Sequence, residues 1–160
     1  MRAADRRPRR AGYYEVAGID LERELRWLCG LPALGGADGP LVTDPPTLTV
    51  RRASRRPRRN LGFAVPAERR ISVTAYPGIR PGDAREVLLH ELVHIAIGRA
   101  GRSWHGRAFR QALRTAMRQA YGVDVAARHP STHGAYAEAL ERKRRRAVNV
   151  HPQQLALDAP

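Results

Sequence analysis

Residues 83–109 decide how this chain folds. They read Asp83-Ala84-Arg85-Glu86-Val87-Leu88-Leu89-His90-Glu91-Leu92-Val93-His94, then ten residues to Trp104, then His105-Gly106-Arg107-Ala108-Phe109. His90 and His94 are four apart, so on a helix they share one face, one turn from each other. Both imidazoles can then reach a single metal ion. Glu91 projects about 100° round the same helix from His90, where it can lie beside a metal without ligating it. The spacing predicts a helix opening at Asp83 as N-cap, with Glu86 completing a capping box, and ending at Gly98 or Gly101. Val87, Leu88, Leu89, Leu92, Val93, Ile95, Ala96 and Ile97 go nearly all the way round it, the pattern of a helix enclosed in a core. Two histidines and a glutamate inside such a helix are costly unless they are bonded or bind a metal. The alternative is a pair of core histidines satisfied by hydrogen bonds alone.

A zinc ion with an open fourth position needs a third protein ligand. Glycine three residues and histidine six residues after His94 would supply one pattern, but Ile97 and Ala100 stand there. No glutamate occurs between Glu91 and Glu138, which leaves His105 as the nearby ligand. A helix from His105 to Tyr121, ended by Gly122, would turn His105 inward on the side of Phe109, Ala112, Ala116 and Ala120. An ordinary helix-start histidine is the other reading of His105. Opposite that side lies a stripe of Arg107, Arg110, Arg114 and Arg118, read as a solvent face or a binding face.

The pair of motifs, His-Glu-Leu-Val-His and then His-Gly-Arg-Ala-Phe, resembles the SprT-like zinc metallopeptidases, the group that includes Spartan, which cleaves proteins crosslinked to DNA. Asn60-Leu61-Gly62-Phe63-Ala64 followed by Arg70-Ile71-Ser72-Val73 resembles the two strands that precede the active-site helix in that family. The likeness covers roughly residues 48–121. It implies a zincin-like α+β fold and one Zn2+ held by His90, His94 and His105. It also implies Glu91 as the catalytic base and a protein or peptide substrate. The chain departs from many members in having one cysteine, which rules out a Cys-rich zinc ribbon.

Around this centre the chain reads as one domain with tails: a basic disordered arm over 1–14, a metallopeptidase domain over 15–147, and a loose tail over 148–160. A helix is expected over Leu21–Leu31, capped by Asp20 and buried through Leu21, Leu25 and Leu28. Trp27 is expected to pack, and Cys29 to be a small buried residue. Residues 32–46 read as a loop. Strands are expected at Thr47–Arg52, Leu61–Val65 and Arg70–Ala75, forming a small, mainly antiparallel three-stranded sheet on the His90–His94 helix. A last helix is expected over 135–147, preceded by His129 and His133 and carrying the basic cluster that ends at Arg146.

The 160 residues carry a formal net charge of +14, from 28 arginines and a single lysine. Such a chain is drawn to polyanions. Arg51, Arg52, Arg55, Arg56, Arg58 and Arg59 are expected on an exposed hairpin loop, as the preferred contact to DNA phosphates. A solvated charged turn is the other reading. A basic nucleic-acid-binding module with a structural zinc site, and no catalysis, is the rival class. Cys29 alone forms no internal disulfide, and no apolar run reaches the length of a membrane span or follows the basic N-terminus as a signal would. The expectation is a soluble, cytoplasmic chain. P-loop, dinucleotide and zinc-finger spacings are absent.

Overall fold

The computed structural model describes residues 9–99 and 104–122, and the protein they form is α+β. A short hairpin, β1 (Glu15–Val16) and β2 (Ile19–Asp20), leads into α1 (Leu21–Cys29). Asp20 caps this helix as expected: its carboxylate accepts from the Glu22 and Arg23 amides at 3.0 and 3.1 Å. Leu21, Leu25 and Leu28 are buried, and Cys29 follows them into the core. The helix stops at Cys29, because the Gly30 amide turns back to the Trp27 and Leu28 carbonyls. Residues 32–46 are more ordered than a loop. Pro32 and Pro40 each start a single helical turn, the second being α2 (Pro40–Thr43), and buried Leu34 and Leu41 pin both.

Three strands follow: β3 (Thr47–Arg52), β4 (Gly62–Val65) and β5 (Arg70–Ala75). Their order is β3-β5-β4, and the sheet is mixed rather than mainly antiparallel. Six residues of β3 run parallel to β5, from Thr47 opposite Arg70 to Arg52 opposite Ala75. Four residues of β4 pair antiparallel with β5, from Gly62 opposite Val73 to Val65 opposite Arg70. The physical reason lies in β5, which is buried on both faces from Ile71 to Ala75 and so takes the centre. Residues 53–61 therefore cross the end of β5 from one edge to the other. The arginine-rich segment is a crossover, not a hairpin loop.

Helix α3 (Pro81–Ile97) packs on β4, β5 and α1 and is enclosed on nearly every side. It opens two residues before the expected cap. Pro81 takes the first helical position, where its missing N–H costs nothing. Asp83 is then inside the first turn and accepts from the Arg80 guanidinium at 2.9 and 3.2 Å instead of from a backbone amide. The helix ends at Gly98, whose φ of 65° suits glycine and whose amide bonds to the His94 carbonyl at 2.8 Å.

Helix α4 (Arg107–Tyr121) starts two residues later than expected, so His105 sits in the turn before it. Phe109, Leu113, Ala116 and Met117 are buried, while Arg107, Arg110, Arg114 and Arg118 are exposed. Its far end is tied down. The Tyr121 hydroxyl lies 3.1 Å from Glu24 of α1 and 3.3 Å from the Arg85 carbonyl, and the Gln119 side chain accepts from the Ala33 amide at 2.9 Å. Burial, and then Glu24, push the Tyr121 phenol well above its usual range. At the N-terminal side, Tyr13 and Tyr14 pack on the core, and the Tyr13 hydroxyl accepts from the Val50 amide at 3.2 Å.

The expected last helix over 135–147, His129, His133, its basic cluster and the tail lie outside the described residues, as do residues 1–8 of the arm. No helix among the described residues is long and apolar enough to cross a membrane.

Cys29 is 1% exposed, and burial pushes its thiol up to about 11. A thiol-specific reagent at pH 8 is therefore expected to leave the native chain unlabelled and to react on denaturation. Rapid labelling of the native chain, read by intact mass, would show that α1 does not pack as described.

Candidate metal centre

Helix α3 delivers His90 and His94 from successive turns, with ring centroids 5.1 Å apart. The turn before α4 brings His105 to 5.4 Å from His90 and 4.8 Å from His94, ring to ring. One nitrogen from each of the three lies within 4.8 Å of the others, and the Nε2 atoms of His94 and His105 are 3.0 Å apart. Ligand nitrogens at zinc-like bond lengths of 2.0–2.1 Å and tetrahedral angles stand roughly 3.3 Å apart, so this spacing is on the scale of one shared metal ion. His90 and His94 are buried and His105 is half-buried.

The chemistry of the set fits a cation. Two facing ring nitrogens at 3.0 Å can share only one proton if both rings are neutral. His94 Nδ1 is also buried, without a hydrogen-bond partner among the described residues. Burial, and then the proximity of His105, lower the His94 pKa to about 4, so the ring is neutral at pH 7 and its lone pair is available. These three histidines can hold a metal ion.

Phe109 supports all three rings from below. It stacks on His94 at 4.2 Å and 25°, and meets His90 and His105 edge-on, each at 5.0 Å. The sequence achieves this because Phe109 is four residues beyond His105, across the start of α4, and turns into the core there. Trp104 closes the outer side, its ring edge-on to His94 at 6.0 Å.

Glu91 is 3% exposed and faces the same cleft, and burial raises its pKa to about 8. A cation beside it would favour the carboxylate and oppose that shift. Its immediate neighbour is β4, at a point where only glycine fits. A Cβ on Gly62 would stand 2.7 Å from Val87, 2.9 Å from the Ser72 carbonyl and 3.1 Å from Glu91 Cγ. Gly62 thus lets the strand run against the helix beside the glutamate. Sequence reasoning gave Gly62 no role of its own; a glycine inside a strand was the available signal.

The cleft holds about 230 Å³ and is bordered by residues 60 and 62–64, the three histidines, Glu91 and Trp104. His90, Glu91, His94 and His105 are thus brought together, and the six arginines are not. Arg52 donates to the carbonyls of Gly12, Tyr13 and Glu15 at 3.1–3.2 Å, which fastens the N-terminal turn to β3. Arg56 is half-buried, 5.8 Å over the Tyr76 ring. Arg51, Arg55, Arg58 and Arg59 are exposed.

Phe109→Ala should weaken metal binding by roughly 10- to 100-fold, the effect typical of removing a group that orients ligands. Competition with a chromophoric chelator measures it, and an unchanged affinity would deny Phe109 that role. Gly62→Val should force β4 away from Glu91 and lower the unfolding midpoint; an undiminished midpoint would contradict the close approach. No protein-family model matches the chain, and no curated protein or solved structure matches it.

Proposed function

We propose that this protein is a zinc-dependent endopeptidase of the SprT-like kind, acting on proteins associated with or crosslinked to DNA. The observation that carries the reading is the convergence of three histidine nitrogens with a buried carboxylate in one open cleft. An all-imidazole set suits zinc, and three protein ligands leave a fourth position for solvent or substrate. A zinc ion bound there supplies Lewis acidity and lowers the pKa of water toward about 7.

The chain's own residues do the rest. His90 and His94 come from a rigid helix, and His105 is held by Phe109, so the ligand set is pre-organised. Glu91, enclosed by Val87 and β4, takes the proton from the attacking water and gives it to the leaving amine. Its burial keeps the proton from being lost to bulk solvent between the two transfers. The outer edge of β4 has no partner strand among the described residues and borders the cleft. That supports an extended peptide aligned by strand addition beside Glu91.

The DNA part of the proposal rests on charge. Arg51, Arg55, Arg58 and Arg59 are exposed on or beside the crossover, and that crossover runs directly into Asn60 at the cleft. Phosphate contacts there would bring nucleic acid, and proteins attached to it, near the site.

Metal analysis of untagged protein is expected to give one zinc per chain, much weakened in His105→Ala. Glu91→Gln should retain the zinc and lose about 10²–10⁴-fold in casein cleavage. Undiminished cleavage in that variant would sink the mechanism. DNA binding should weaken steeply with salt and weaken further when Arg55, Arg58 and Arg59 become alanine; failure to bind at low salt would remove DNA from the proposal.

A further inference from the structure

Four large apolar side chains among the described residues are notably exposed: Trp27, Val42, Phe63 and Trp104. Two of them, Phe63 and Trp104, border the metal cleft. Trp104 is 42% exposed although its ring edge is fixed against His94. A tryptophan held in place and still open to solvent is an apolar wall without a covering group among the described residues. Across from it the strand is built from small residues. Gly62 and Ala64 alternate toward α3, and Phe63, between them, turns to the other face and stands at the rim. Gly62 is filled against Val87 and Glu91, so the free volume of the cleft lies farther along the strand, between Ala64 and Trp104.

The space, about 230 Å³, is below the roughly 300–1,000 Å³ of sites for drug-sized ligands. It suits one side chain with its backbone. Its lining also argues about chemistry. The chain has 28 arginines, yet no arginine is among the described residues that border the cleft. A site for nucleic acid would be expected to carry phosphate ligands beside its aromatic platform. An arginine-free cleft with one tryptophan wall favours an uncharged, apolar group.

We propose that Trp104 is the specificity-determining residue of this cleft, forming the wall of a subsite beside His94 for a bulky apolar side chain of an extended polypeptide. The inference rests on the peptidase reading for the identity of its occupant. With the peptide backbone along the β4 edge, a side chain that turns into the cleft beside Ala64 meets the Trp104 ring. Selection then occurs at a residue next to the bond that faces Glu91.

Two measurements test it. Zinc-loaded wild type is incubated with a proteome-derived peptide library, and the cleavage sites are read by mass spectrometry. Bulky apolar residues are expected to be enriched at one position flanking the cut. Trp104→Ala should lose that enrichment while keeping its zinc, and Trp104→Phe should restore it. Cleavage without apolar enrichment, or enrichment that survives Trp104→Ala, overturns the subsite and leaves the peptidase reading standing.

The second measurement does not depend on turnover. Zinc-loaded Glu91→Gln is titrated with a capped hexa-alanine peptide and with the same peptide carrying one leucine, followed by calorimetry. The leucine peptide is expected to bind about 10- to 100-fold tighter, and Trp104→Ala in the same background should erase the difference. This result without any cleavage by wild type would overturn the peptidase reading and keep the subsite. Equal affinities overturn the subsite. An oligothymidylate that competes with the leucine peptide, and loses affinity in Trp104→Ala, would give the wall to a nucleobase and overturn the peptide assignment.

Discussion

Helix α3 is buried along most of its length while carrying His90, Glu91 and His94 into the interior. Everything near the site answers that constraint. Apolar residues around the helix bind it to β4, β5, α1 and α4, and this burial supplies the stability that three enclosed polar side chains would otherwise erode. The two histidines face a third from another segment, and all three rest against the Phe109 ring. Glu91 instead faces a strand with a glycine at the point of contact. The polar residues are thus sorted by helix face: two nitrogens to one side, a carboxyl to the other, and an open cleft above both.

The same enclosure sets their protonation. Burial disfavours charge on two of its members, so His94 is held neutral and Glu91 tends to hold its proton. The set has lone pairs to offer and little charge of its own. A metal cation would suit such a set, and its charge would oppose the shift at Glu91. The strong basicity of the surface stays outside this arrangement, since the nearby arginines tie down the N-terminal turn or stand on the crossover, and none of them lines the cleft among the described residues.

The parts legible in the sequence were those governed by local rules. Four-residue spacing put His90 and His94 on one face, Asp20 announced the start of α1, and alternation marked the three strands within a residue of their ends. His105 could be chosen by elimination, and the chain does bring it to the pair. What was not legible depended on tertiary choice. Alternation says which residues share a face but not which strand is central, so the parallel pairing of β3 with β5 was missed. Asp83 and Pro81 both signal a helix start, and the proline prevailed because Arg80 offered the aspartate another partner. Gly62 needed the helix beside it before its size meant anything.

The anchoring of α4 has a mechanical side. The helix is held at its C-terminal end by Tyr121 and Gln119, while the segment that carries His105 and Phe109 lies at the other. Fifteen residues make a rod about 22 Å long. A tilt of about 3° around the anchored end would carry the histidine end through about 1 Å, enough to disturb the geometry of a shared metal site. Glu24 and Ala33, bonded to the far end of α4, thereby help to aim a histidine of the candidate metal centre from the other end of the same helix.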